Sequence, residues 1–415
     1  MMKHHNDNQD PSESLTTRRT FLRQATAGTL AMAVARGAAG AEAGRARRTI
    51  QGIRAATLQY VESMRLHDGP YGRYRYATGM PGPTLYSSTY AAMTRGLYHD
   101  LGSLTTTQRR EWIGYLQSHQ DDDGLYRDPA IFGEGWYRGD PEWCGRRHLT
   151  CHVVTALTCL GSVAARPLRF LEPFYEQRRL VEWLEARDWQ KVDYVGNEVL
   201  NLGTLLQYAR DFQKEIRATV ATRTLLEWLG VHHVRPETGL WGQTDTKAPK
   251  GLSRAVMGAY HFWLLFFYDR TPIPQSQQAI DQVLRTENPQ GGFGWGVHGP
   301  RSSACEDIDS IDPLARLLFL SAYRRKDVHG ALEHAVSHVL GNQNADGGFV
   351  FVRGREFSYG HPLMSAGRDA SAMFPTWFRT LSLAYLGKSL PGSIVGGFDW
   401  QFTNCPGIQF WLQST

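Results

Sequence analysis

A glycine-centred turn returns about every 55 residues along this chain, and that interval constrains the fold more than any other feature. Asp68-Gly69-Pro70-Tyr71 is followed by Gln120-Asp121-Asp122-Asp123-Gly124-Leu125-Tyr126, then Glu237-Thr238-Gly239-Leu240-Trp241, Pro289-Gln290-Gly291-Gly292-Phe293 and Gln343-Asn344-Ala345-Asp346-Gly347-Gly348-Phe349. Gly69 and Gly124 lie 55 residues apart, Gly124 and Gly239 115, Gly239 and Gly292 53, and Gly292 and Gly348 56. The long interval holds two periods, with the missing turn expected near Asp188-Trp189-Gln190, where the glycine has been lost. Six units result, and a fixed period of this size marks a stacked or closed array.

Each unit has two helical stretches around its turn. The stretch before it is amphipathic: Ile50, Ile53, Thr57, Tyr60 and Met64 in the first unit, and Trp112 and Leu116 in the second, recur at helical spacing with charges between. The stretch after it is more apolar, over 86–100, 148–161, 197–211, 252–268, 307–323 and 372–387. Six half-exposed and six buried helices predict an all-α fold, a single (α/α)6 toroid of six helical hairpins with the buried helices lining a central funnel. In the turns, Asp or Asn bonds nearby backbone, Gly supplies positive φ and the following aromatic packs on a helix end, so their carboxylates are read as structural.

With 42% hydrophobic residues in 415 the chain can bury a substantial core, and its 42 glycines and 19 prolines act as punctuation, not as low complexity. A net charge of +5 without a dense basic tract gives no reason to expect a nucleic-acid partner. The N-terminus reads as a targeting segment: Thr17-Arg18-Arg19-Thr20-Phe21-Leu22-Arg23, a mild apolar run from Ala25 to Ala35, and the small-residue site Ala41-Glu42-Ala43. That order predicts a twin-arginine signal peptide over 1–43, engagement of the twin-arginine export machinery and a periplasmic or secreted mature protein. The apolar run is too short to span a bilayer. The toroid is expected over 44–390, with 391–415 as a C-terminal tail packed on it. The five cysteines (Cys144, Cys151, Cys159, Cys305, Cys405) are odd in number and unevenly placed, which is not a disulfide framework.

The Gln-Asn-Ala-Asp-Gly-Gly-Phe run at 343–349, with poorer copies at 120–126 and 289–293, resembles the glutamine/tryptophan repeat of squalene-hopene cyclases and protein prenyltransferase β-subunits. The resemblance implies an α/α toroid. It further implies terpene cyclase-like chemistry, in which the middle Asp of an Asp-x-Asp-Asp run opening an inner helix protonates a double bond or epoxide. Asp307-Ile308-Asp309-Ser310 takes that position, with Asp309 as the acid and Ser310 in place of the final Asp. The prenyltransferase zinc site does not carry over, because Cys305-Glu306-Asp307 reverses its Asp-x-Cys pair and the His-rich helix belongs to an earlier unit. No metal site is expected, and no motif names a cofactor.

Side chains at the starts of the inner helices point into one end of a toroid, where a site is sought. Asp307, Asp309 and Asp312 form the sharpest group: 309 and 312 share a helix face, and 307 is expected near the N-cap. Such carboxylates either raise one another's pKa and supply an acid, or hold a divalent cation with oxygen ligands, or complement the helix dipole. His148 and His152 are spaced i, i+4, as are Asn197 and Asn201; Tyr86 opens the first inner helix and Arg254 the fourth. An insertion at 353–369 carries His361, a candidate base, and the helix after it holds Trp377 and Arg379, whose guanidinium must find an anion. Tyr86, His148, His152, Asn197, Asn201, Arg254, Trp377 and Arg379 are therefore candidates to bind a small-molecule or oligosaccharide ligand in the funnel. Three readings follow: an exported general-acid enzyme using Asp309, Asp307, Asp312 and His361; a carbohydrate hydrolase or lyase on the same toroid; and a non-catalytic binding toroid with a filled funnel.

Overall fold

The outer helices form where the sequence gives one apolar stripe and a clean start. Thr105 and Gln108 make a reciprocal capping box ahead of a helix that buries Trp112 and Leu116 one turn apart. In the helix over 177–185 the buried pair is Leu180 and Leu184. In a computed structural model the described residues are 49–132 and 146–411. Among them twelve helices of nine residues or more alternate outer and inner: α1 (Ile50–Ser63) and α2 (Leu85–Leu97), α3 (Thr106–Gln117) and α4 (Leu149–Cys159), α5 (Gln177–Glu185) and α6 (Val192–Asp211), α7 (Ile216–Val231) and α8 (Pro249–Tyr268), α9 (Ser276–Leu284) and α10 (Ala304–Leu320), α11 (Arg325–Gly341) and α12 (Met373–Ser389). A two-residue ribbon pairs Phe357–Ser358 with Ser365–Ala366 in the last unit. The chain divides into two units, Met1–Ile53 and Arg54–Thr415. Of the first, only 49–53, opening α1, are described, and everything below lies in the second. The expected signal peptide at 1–43, Cys144, and 412–415 of the tail lie outside the described residues.

The even-numbered helices close a ring in which α2 packs on α4, α4 on α6, α6 on α8, α8 on α10, α10 on α12, and α12 back on α2. This is the six-hairpin α/α toroid that the glycine period predicts. The seam is sealed at the outer layer as well, because Gln343 Nε2 donates to Thr57 Oγ1 on α1 across 3.1 Å and the Gly347 turn rests on the Ala56 carbonyl. Close approach of α6 and α8 needs glycine at the crossing: a Cβ on Gly196 would stand 2.5 Å from the Gly258 carbonyl oxygen.

The repeated turns close through antiparallel bridges, Arg65 with Tyr74, Gln120 with Tyr126, Val234 with Trp241, Glu287 with Phe293, and Gln343 with Phe349. At the glycine-less position Trp189 stands in the aromatic slot, stacked on His233 at 4.3 Å. Three turns are also pinned to the inner helix that follows. The backbone N–H of Tyr126 donates to Thr150 Oγ1, that of Phe349 to Thr376 Oγ1, and that of Phe293 to Asp307 Oδ1, at 2.9, 3.0 and 2.8 Å. Asp307 thus holds the place that threonine holds in the sister units.

Four of the six inner helices (α2, α6, α8 and α10) begin earlier than the apolar runs suggest. α10 starts at Ala304, not 307, because Ser303 caps it and Glu306 returns the bond to the Ser303 N–H. Asp307 lies in the first turn, four residues past the cap, and the capping falls to Ser303.

Candidate functional site

One mouth of the funnel is formed by the N-terminal ends of the inner helices, and the opposite end is crossed by the tail. There Arg316 Nη2 donates to the Phe410 carbonyl, Tyr268 Oη to the Asn404 carbonyl, and the Gln401 N–H to the Leu97 carbonyl, at 2.8, 3.1 and 3.2 Å. Gln409 reaches inward: its Oε1 accepts from Trp377 Nε1 at 2.6 Å and its Nε2 donates to the Met93 carbonyl at 3.1 Å. Between mouth and tail lies a narrow cavity of about 30 Å³, lined by His148, His152, Asn201, His261, Trp377 and Gln409 among others.

Tyr86 Oη and His148 Nδ1 are 2.7 Å apart, His148 Nε2 and His152 Nε2 3.2 Å, and Tyr359 Oη from the inserted loop stands 3.3 Å from His148 Nε2. Burial and the nearby His261 drive the His148 pKa down to about 3; burial and His148 push His152 well down, and burial takes His261 to about 4. All three imidazoles are neutral near pH 7. Asn201 Nδ2 donates to Asn197 Oδ1 at 2.9 Å, so the two amides form one unit on the α6 wall. Trp377 stacks on Tyr90 at 5.3 Å, with Phe374 and Phe378 packed beside it. Five sequence candidates (His148, His152, Asn197, Asn201, Trp377) thus line one cavity, and Tyr86 joins them through His148.

The acidic group divides three ways. Asp307 is fully buried, and its carboxylate pairs with Arg379 and His338 Nε2 while accepting from Ser302 Oγ at 2.6 Å. Burial opposes its ionisation, but the Arg379 and His338 charges and the donated hydrogen bonds outweigh it and hold the pKa at about 2. The anion that Arg379 requires is therefore Asp307. Asp312 pairs with Arg316 Nε at 2.6 Å and accepts from Tyr260 Oη at 3.2 Å. Asp309 has no hydrogen bond or ion pair among the described residues and is 3% exposed. Burial first, then the fields of Glu306, Asp312 and Asp307, push its carboxyl well above the usual range and favour the protonated form.

Cys305, Asp309, Asp312 and Arg316 share one face of α10 at steps of four, three and four residues. Tyr90, across the funnel on α2, feels the field of Cys305, one turn above Asp309. Glu306, on another face, is raised by burial to about 7. The three aspartates and Arg379 do not line the cavity of about 30 Å³, and neither do Arg254 and His361. Arg254 is exposed, 3.6 Å from Asp193 Oδ2, and the helix it was expected to open begins five residues earlier, at Pro249. His361 caps a short helical turn, its Nδ1 accepting from the Leu363 N–H at 3.1 Å.

His261, Tyr90 and Gln409 escaped the sequence reading. His261 lies seven residues past Arg254, two turns along the same stripe, a signal that was present. Gln409 belongs to an aperiodic tail and gave none. Cys151, Cys159, Cys305 and Cys405 are free thiols. Among the described residues no group of three or more His, Cys, Asp or Glu is placed to hold a metal ion, and no helix is long and apolar enough to cross a membrane.

No protein-family model and no curated protein matches the sequence. Similar solved structures include a type II terpene cyclase from Scytonema in complex with geranylgeranyl dihydroxybenzoate, at 12% identity and TM-score 0.47 over 82% of this chain and 97% of that one. A polysaccharide lyase is similar at 12% identity and TM-score 0.44, over 81% of this chain and 97% of its own. The α-1,6-mannanase GH76A from a Salegentibacter species is similar at 10% identity and TM-score 0.42, over 80% and 97%. At such identity the likeness concerns the arrangement of helices alone.

Proposed function

We propose that the funnel is the active site of an exported enzyme working by general-acid chemistry of the terpene cyclase kind, with Asp309 as the proton donor. The observation that carries this reading is the division of the acidic cluster: Asp307 and Asp312 are each paired with a buried arginine, while Asp309 is buried without a side-chain partner among the described residues. Burial and the neighbouring acids favour the protonated form of Asp309, which keeps a proton available for transfer at a pH where a carboxyl in water has already lost it. Asp309 gives its proton to a double bond or epoxide oxygen and becomes a carboxylate. The faces of Tyr90, Phe374, Trp377 and Phe378 then stand near the positive charge left on the substrate. Asp307 and Arg379 position α10 in this scheme and do not touch substrate. The cavity admits only water in the present state, so a substrate enters by displacing Tyr359 and the 353–369 loop. Export through the twin-arginine segment at 1–43 belongs to the same proposal.

A second reading is favoured by the Tyr86 and His148 contact. An imidazole hydrogen-bonded to a phenol, opposite paired asparagine amides, suits a carbohydrate lyase or hydrolase in which the Tyr86 and His148 pair handles the proton. Purified protein incubated with linear isoprenoids bearing terminal alkenes or epoxides, and in parallel with neutral and acidic oligosaccharides, separates the two by mass spectrometry. Isoprenoid conversion that disappears in Asp309→Asn supports the first. Oligosaccharide cleavage that survives Asp309→Asn and disappears in His148→Gln replaces it with the second.

A further inference from the structure

On the tail side, away from the funnel cavity, the C-terminal ends of α8, α10 and α12 surround a groove of about 760 Å³. That is within the range that encloses most of a small ligand (~300–1,000 Å³). Its apolar wall is Phe267, Phe319, Leu320 and Trp411, with Phe319 set edge-on to Trp411 at 5.7 Å. Phe319 is 53% and Leu320 62% exposed, two adjacent large apolar side chains left in water at a helix end. Burial deepens inward to Leu317 and to the Arg316 guanidinium, which is consumed by Asp312 and by the rings of Phe267, Tyr385, Phe410 and Trp411.

Two further cations border the groove. Arg270 follows α8 and Lys388 occupies the last turn of α12, and neither has an ion-pair partner among the described residues. Among the described residues no carboxylate lines the groove. A cation near a helix C-terminus complements the dipole, which accounts for one charge at each end but not for the apolar trough between them. An apolar trough bordered by two unneutralised cations is complementary to a molecule with a hydrocarbon chain and an anionic head.

We propose that this groove binds a single-chain anionic amphiphile of the fatty-acyl carboxylate type, its chain along Phe319, Leu320 and Trp411 and its head on a bordering cation, Arg270 or Lys388. The site is separate from the funnel and does not depend on the chemistry proposed there.

Calorimetric titration of the full chain with monomeric dodecanoate, and with dodecanol and dodecyltrimethylammonium as neutral and cationic controls, tests it. Dodecanoate is expected to bind with one-to-one stoichiometry and each control roughly tenfold or more weakly. The Arg270→Gln/Lys388→Gln double variant is expected to lose roughly tenfold for dodecanoate while keeping its affinity for dodecanol. Phe319→Ser is expected to weaken both ligands. All of these positions are at least partly exposed, so an unchanged Tm confirms that each variant is folded. Absence of dodecanoate binding, or equal affinity in the double variant, overturns the proposal. Binding to anionic phospholipid vesicles without binding to monomeric dodecanoate also overturns it, in favour of a membrane-facing surface.

Discussion

Three aspartates within six residues of α10 have three different fates, and each sets a distinct expectation. Asp307 and Arg379 are both fully buried, so removing one partner leaves the other as an uncompensated charge. Arg379→Met is expected to destabilise the fold by about 3–5 kcal/mol, read as a shift in the denaturant midpoint at constant slope. The depressed pKa of Asp307 fixes a pH window. Its folded value of about 2 lies below the unfolded value of about 3.9, so its contribution is complete above the unfolded value and disappears as pH falls through the folded one. Acid unfolding of the wild type should therefore steepen below about pH 4, and Asp307→Asn should flatten that limb. Asp309 behaves in the opposite sense. Its folded pKa is raised, so it favours the fold fully only below about pH 3.9 and costs stability as pH rises above that. Asp309→Asn should leave the protein as stable as wild type or more so, with an advantage that widens with pH, while abolishing turnover. None of this could be read from spacing. The arginine that pairs with Asp307 lies 72 residues further along the chain, and the capping box that gives the cap to Ser303 lies just ahead of it.

At the scale of elements the sequence was far more legible. Turn glycines recurring at a near-constant interval, and the contrast between half-apolar and fully apolar stretches, are local properties, and they specify which helices lie outside and which inside. The starts of the inner helices were less legible because apolar residues mark where a helix is buried, whereas Ser303 and Pro249 mark where it begins. The turns bear a direct test. Gly347 has φ +92°, and an added Cβ would collide with the backbone carbonyl of Ala56 on α1. Gly347→Ala is expected to cost more than about 1 kcal/mol, with hydrogen-exchange protection lost first in α1 and α11. Gly330 on the exposed side of α11 meets nothing within 4 Å, so Gly330→Ala is the control and should be neutral or stabilising.

For the whole molecule, ring closure brings together side chains that are far apart in sequence: Tyr86, His148, Asn201, His261 and Trp377 come from five different helices, and Gln409 from the tail. The candidates on inner stripes were identifiable one by one. Their convergence, and the plugging of the far end by the tail, required the closed fold. The same closure removes Asp309 from water and leaves it among other acids, and the proposed chemistry depends on that protonation. It can be measured without knowing the substrate. Infrared spectroscopy of wild type against Asp309→Asn, in deuterated buffer near pH 7, isolates the carbonyl stretch of a protonated carboxylic acid from that of a carboxylate. A protonated carboxyl band present in the wild type and missing from Asp309→Asn is the predicted result; an ionised Asp309 at that pH contradicts its role as the proton donor.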